Sequence, residues 1–310
     1  MCFGGCKTQR SNYYINMKTE HLTKYVSSYG LKNLFLNPIT SNYQVFYISV
    51  YEISHFIHTK LPHINSKFVL VTNDGDYRFD ESFIEKYNIN KILENTFFEK
   101  WFIQNLYTNH FKLNHLPIGN DYHTMYLHRD AWGEGISSPF KQENFLENIL
   151  IFSPQLKNRK NIAYCNWHFH LERGDRTHCY NSIDHNSCFF EPKKVDRFTT
   201  WKNQSKCTFV ISPEGGGPDC HRTWEALMLG CIPILKKSPL SSLFKDLPCV
   251  FVNDWNEINQ NFLDSALEQI LNSNFNFSKL FIEYWKNLIF QNTFFDISIM
   301  QVNSLKDLYI

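Results

Sequence analysis

The chain has no apolar run approaching the roughly 18 residues of a membrane-spanning helix. Its start, Met1-Cys-Phe-Gly-Gly-Cys-Lys7, lacks the apolar core of a secretion signal. An excess of either charge is missing too. With 31 Lys and Arg against 30 Asp and Glu, the net charge is +1, which gives neither a nucleic-acid-attracting field nor an acidic tail. Nine cysteines are present, an odd number whose spacing shows no disulfide framework, so a reducing interior fits. Internal repeats and long low-complexity tracts are absent. The expectation is a soluble cytoplasmic protein with no nucleic-acid partner and no membrane span. The sequons Asn203-Gln-Ser205 and Asn276-Phe-Ser278 carry little weight without a secretory route.

Apolar and aromatic residues are plentiful. The 310 residues are 43% hydrophobic, with 28 Phe, 16 Tyr and 7 Trp, enough to bury two medium cores. After a polar, irregular stretch to about residue 40, with a helix expected over 19–29, strand and helix patterns alternate. Strands are expected at 44–50, 68–72 and 115–118, and helices at 51–60, 81–87 and 98–106. A turn, Pro117-Ile-Gly-Asn-Asp-Tyr-His123, reads as a hinge, and Trp132-Gly-Glu-Gly-Ile-Ser-Ser-Pro139 as a linker. A second α/β series begins near Phe145, with strands at 161–165, 207–212, 232–235 and 249–252. Helical stripes follow at Ile258, Phe262, Ala266 and Ile270, and again over 280–289. The order predicts two doubly wound α/β units, 1–125 and 126–285. A terminal segment, 286–310, is expected to pack back on the first unit.

Glycine is scarce, 12 in all, yet Gly215, Gly216 and Gly217 are consecutive. They follow a buried strand and precede Pro218 and Asp219, a candidate N-cap for a helix reaching about Leu229, with Gly230 at its end. A glycine loop at a helix N-terminus binds phosphate through free N–H groups. Helical spacing puts Arg222 and Glu225 on one side, with His221 one turn from Glu225. A guanidinium grips diphosphate with a fork of N–H groups, and a carboxylate accepts two hydroxyls, as from a ribose. The bland alternative is a surface Arg–Glu pair. Gly-Lys-Ser/Thr does not follow, which excludes a P-loop, and Cys220 breaks the dinucleotide fingerprint.

Ser212-Pro213, Gly215, Arg222, Glu225-Ala226 and Gly230-Cys231-Ile232-Pro233 stand in the order that the exostosin-like family of GT-B glycosyltransferases shows. The segment 207–256 resembles the sugar-donor half of these enzymes, and its Asp-Cys-His-Arg-Thr-Trp-Glu-Ala-Leu version looks like small transferases of large DNA viruses and algae. The resemblance implies two Rossmann-like domains facing a cleft. It further implies inverting, metal-independent transfer from a nucleotide-sugar, a UDP-sugar such as UDP-xylose or another UDP-hexose or pentose, to a glycan hydroxyl. No further cofactor is required. Arg222, Glu225 and His221 would then hold the donor, together with Glu214 and the three glycines.

Arg173 and Arg176, in the loop after the strand 161–165, are candidates to neutralise the diphosphate; the competing reading is a solvated charged loop. Cys165, His168, His170, His178 and Cys179 lie close in sequence, but match no standard zinc spacing. Asp74-Gly-Asp76 follows an apolar strand and has the form of a DxD motif, which holds Mn²⁺ in GT-A enzymes. In a two-domain protein these aspartates face the acceptor, so Asp76 or Asp74 is the expected catalytic base, with Asp121, His123 and His55 as rivals. Two alternatives remain: an Mn²⁺-dependent transferase, and a nucleotide- or glycan-binding module without turnover.

Overall fold

The structure, a computed structural model, describes residues 23–36, 43–73, 75–133, 135–290 and 309. Two parallel sheets organise it. The first contains β1 (Gln44–Ser49), β2 (Phe68–Asn73), β3 (Phe98–Gln104) and β4 (Leu113–Leu116) in that spatial order. The second contains β5 (Lys160–Cys165), β6 (Cys188–Phe190), β7 (Cys207–Ile211), β8 (Ile232–Lys236) and β9 (Val250–Val252), in the order β6-β5-β7-β8-β9. Helices of the first part are α1 (Ser28–Asn33), α2 (Ile53–Thr59), α3 (Glu81–Lys86), α4 (Asn90–Leu93) and α5 (His123–Leu127). Then come α6 (Pro139–Phe152), α7 (Arg176–Ser182), α8 (Arg197–Gln204), α9 (His221–Met228), α10 (Gln260–Leu271) and α11 (Ile282–Phe290). The fold is α/β in two units, each built on one parallel sheet with helices between its strands. No helix among the described residues is long and apolar enough to cross a membrane, and all seven described cysteines are free.

Burial explains the strands. Every residue of β2 and of β7 is buried, because a parallel sheet is covered on both faces. Side chains alternate across β2. Phe68 and Leu70 join a core under α2 and α3 with Phe98 and Trp101, whereas Val69 and Val71 face a larger core shared with the second unit. That shared core also takes in Tyr25, Leu31, Tyr122, Trp224 and Phe290.

Four expectations are corrected. The stretch expected as a helix over 98–106 contains β3, whose second half, Trp101 to Gln104, is buried at every position. The stretch read as leading into a unit near Phe145 is already the 14-residue helix α6, started by Ser138, whose Oγ accepts from Lys141 N, and by Pro139 in the first turn. The helix expected over 19–29 is described from 23 onward and runs instead over Ser28–Asn33. Asp219 does not cap α9; Cys220 occupies the N-cap with no side-chain hydrogen bond. The return to the first unit occurs at α11, which packs on α1: Phe290 meets Phe35 at 5.4 Å between ring centres. Around it, Val26 N donates to Leu280 O at 2.9 Å and Ile282 N to Lys24 O at 2.9 Å. Of the expected terminal segment, 291–308 and 310 lie outside the described residues, and Tyr309 packs against Phe277 in the second unit.

Candidate functional site

The second sheet reverses direction at β5, which has β6 on one side and β7 on the other. Connections leave in opposite directions there, opening a crevice at the carboxyl ends of β5 and β7 where open α/β sheets bind ligands. The loop after β5 carries Arg173 and Arg176, and the loop after β7 carries Gly215, Gly216 and Gly217. Both loops follow the strands after which the sequence placed them.

Two guanidiniums lie close enough here to repel one another. Arg222 Nη1 donates to Ser212 Oγ at 3.2 Å and to Pro213 O at 3.1 Å. Arg176 is buried, donates weakly to Trp167 O and His170 O at 3.5 and 3.4 Å, and leaves its buried Nε unsatisfied. Burial, then the neighbouring charge of Arg222, lowers Arg176 to about 10. A Cβ on Gly215 would meet Arg176 Nη2 at 3.1 Å, so the loop lies directly on the guanidinium. Among the described residues no carboxylate forms an ion pair with Arg176 or Arg222. Arg173 is exposed and paired with Glu172 at 3.9 Å, further out. Two cations held together without an anion are a place for one.

The rest of the loop meets the first unit. A Cβ at Gly216 would stand 2.6 Å from Asp76 Oδ2, and one at Gly217 would stand 3.0 Å from Asn105 Nδ2. A side chain at Gly216 would displace the Asp76 carboxylate, and one at Gly217 would press on Asn105 and the Asp76 backbone. Asn105, buried with φ +58°, donates from Nδ2 to Gly75 O at 3.0 Å and accepts from Asp219 N at 3.0 Å. Asp219 takes Ile118 N–H at 2.7 Å and Trp224 Nε1–H at 2.9 Å. Glu214 does not turn into the crevice; it accepts from Tyr107 Oη at 2.8 Å and from Arg78 of the first unit. Asp76 is exposed beside the glycine loop, and Asp74 lies outside the described residues. His55 is exposed on α2, and Lys236 pairs with Asp254.

A separate polar network surrounds Glu225 of α9. Glu225 accepts from Arg197 and from Trp201 Nε1 at 3.1 Å. Arg197 stacks on Trp201, 4.7 Å from the ring centre, and reaches Asp121 Oδ2 at 3.8 Å. Asp121 is buried, accepts from Thr124 N at 2.9 Å and lies 3.1 Å from His123 Nδ1. Burial alone raises its proton affinity, but His221, Arg197 and His123 hold the carboxyl well below the usual carboxylate range. His221 donates from Nδ1 to Gly119 O at 2.7 Å. Sequence reading missed Arg197 and Asn105, whose partners lie 28 and 114 residues away. The aspartate cap of α8, Asp196 accepting from Thr199 N, was the local signal for a helix that carries Arg197.

Among the described residues, three His, Cys, Asp or Glu groups converge closely enough to hold a metal at Asp121, His123 and His221. Asp76 belongs to no such group, and the cysteines and histidines of 165–179 do not converge. No family model matches the chain, and no curated protein matches it. Solved structures match distantly. One, described as trehalose-6-phosphate from E. coli bound with UDP-2-fluoro glucose, is 12% identical, covers 91% of this chain and 76% of its own, with a TM-score of 0.33. The alpha,alpha-trehalose-phosphate synthase (UDP-forming) of Burkholderia vietnamiensis is 10% identical, covering 98% and 78%, with a TM-score of 0.33. Likeness this slight carries no argument about chemistry.

Proposed function

We propose that the chain is a glycosyltransferase that moves a sugar from a nucleoside-diphosphate sugar to a glycan hydroxyl, with inversion. The observation that carries this reading is the pair Arg176 and Arg222, two guanidiniums without a carboxylate, lying under a glycine loop at the topological switch point. The leaving diphosphate needs charge stabilisation, which the two arginines supply without a metal at the phosphates. A UDP-sugar, xylose or another pentose or hexose, is the proposed donor. The proposed units are 1–125 for the acceptor and 126–285 for the donor. Glu225 uses the oxygen lone pairs left by Arg197 and Trp201 to accept ribose hydroxyls.

Asp76 is the proposed base. It is an exposed carboxylate of the first unit set against the loop that holds the diphosphate. It takes the acceptor hydroxyl proton as the oxygen bonds to the anomeric carbon. The bond from that carbon to the phosphate oxygen breaks, and its electron pair leaves with the diphosphate. Asp121 does not suit the task, because its oxygens are buried and hold Thr124, His123 and Arg197.

Calorimetry with UDP, GDP and CMP, in Mn²⁺ and then in EDTA, tests the reading. Metal-independent binding of one diphosphate, weakened in Arg222→Ala, supports it. Binding that requires Mn²⁺ and Asp76, or no binding at all, sinks it.

A further inference from the structure

We propose that Asp121, His123 and His221 form a binding site for one zinc-class divalent transition ion, which ties the two units together. The inference does not rest on the glycosyl-transfer reading. Asp121 and His123 belong to the turn that leaves β4 and opens α5, and His221 is the first residue of α9 in the second unit. The three side chains offer one ligand atom each, all within 4.8 Å of one another.

The geometry suits an ion on three counts. Asp121 Oδ1 and His123 Nδ1 are 3.1 Å apart, about the spacing of two neighbouring ligands on a tetrahedral ion with bonds near 2.0 Å. His221 donates its Nδ1–H to the Gly119 carbonyl at 2.7 Å. A carbonyl only accepts, so Nδ1 carries a proton and Nε2 is the atom the ring can offer to an ion, the pairing by which proteins orient a metal-binding imidazole. Thr124 N–H donates to the same Asp121 Oδ1 at 2.9 Å, which fixes the carboxylate and leaves that oxygen a second lone pair for an ion.

Charge and ligand type narrow the ion. Arg197 stands 3.8 Å from Asp121 Oδ2, but it also pairs with Glu225. Asp121, Arg197 and Glu225 together carry −1, so a divalent ion is not bound against a net positive site. Two imidazoles with one carboxylate favour zinc and its neighbours over Mg²⁺ or Ca²⁺. Three protein ligands leave a fourth position for water. Because the ligands come from both units, the ion bound there resists their separation.

The test uses the full, tag-free chain stripped of metal and titrated with Zn²⁺ by calorimetry and with Co²⁺ by visible absorption. The expected result is one ion per chain, a tetrahedral Co²⁺ spectrum and a higher melting temperature with Zn²⁺. His221→Gln is expected to weaken Zn²⁺ binding at least tenfold, and Asp121→Asn likewise. His178→Gln, at an imidazole paired with Asp254 on the surface, is expected to leave it unchanged. If Asp121→Asn does not fold, His221→Gln decides. An absent ion, or equal uptake by wild type and His221→Gln, overturns the site and leaves an imidazole–carboxylate hydrogen-bond cluster. UDP binding in EDTA is read separately, so failure here and failure of the transfer reading are distinguishable.

Discussion

Arg176 and Arg222 repel one another under the glycine loop, and folding holds them there against that repulsion. Removing one cation therefore separates binding from stability. Arg222→Ala is expected to weaken diphosphate binding by about 10- to 100-fold, the worth of a charge-assisted hydrogen bond or two. Thermal stability is expected to stay level or rise slightly, since the lost bonds to Ser212 and Pro213 are offset by the relieved repulsion. Calorimetry and a melting curve on one sample check both halves; a large drop in melting temperature would make Arg222 a structural residue. Gly216→Ala tests the loop. Its Cβ would stand 2.6 Å from Asp76 Oδ2, so the carboxylate must move. Transfer is expected to fall by at least about tenfold, as in-line geometry tolerates little displacement, while the melting temperature changes by a few degrees at most. Wild-type turnover in Gly216→Ala would remove Asp76 from the mechanism. The helix that carries Arg222 and Glu225 was legible in the sequence from its own period, but the two side chains take different partners, Ser212 and Pro213 for one and Arg197 and Trp201 for the other. Arg197 was not legible, because its meeting with Glu225 depends on how α8 packs against α9.

At the scale of elements, β3 and α6 show what pattern reading loses. In the second half of β3, Trp101 to Gln104, every residue is buried, so the alternation that marks a strand is erased and the run reads equally as helix. The start signal of α6, Ser138-Pro139, is local and was available; its reason for being there is not local. Glu143 on α6 accepts Lys24 N–H at 2.8 Å and Tyr25 N–H at 3.2 Å, holding the segment that leads into α1. Burial outweighs these bonds and raises the Glu143 carboxyl from 4.5 to about 7. The folded chain thus holds this proton more tightly than the unfolded chain. Below about pH 4.5 both states are protonated and the contribution to stability is complete. Between 4.5 and 7 the unfolded state ionises first, so stability falls as pH rises, and above 7 it is level. The loss amounts to about 3 kcal/mol at 1.36 kcal/mol per pKa unit. Urea unfolding of wild type and Glu143→Gln across pH 4 to 8 isolates the effect, because other titrating groups cancel in the difference. A difference that stays constant with pH would refute it.

Over the whole molecule, the alternation of strands and helices made two α/β units legible, and the glycine loop marked one wall of the cleft. The opposite wall was not legible. Its contacts join residues about a hundred positions apart, and no local period records them. Asn105 concentrates this problem. It ends β3 in a left-handed conformation, φ +58°, and its amide joins Gly75 O to Asp219 N across the cleft. Truncation strands the buried Asp219 N–H at about 1–3 kcal/mol, while Gly75 O keeps its bond from Gln104 Nε2 at 3.2 Å. A residue with a Cβ other than Asn adds roughly 1 kcal/mol of backbone strain, which glycine avoids. Asn105→Ala and Asn105→Gly are therefore both expected to destabilise the chain, the alanine variant by about 1 kcal/mol more. Both are also expected to loosen the glycine loop and weaken diphosphate binding, although Asn105 carries no charge to offer a phosphate. Chemical denaturation orders the two variants, and calorimetry reads the binding. If the glycine variant matched wild type in both, the amide bridge would carry no weight, and the closed cleft would rest on the shared apolar core alone.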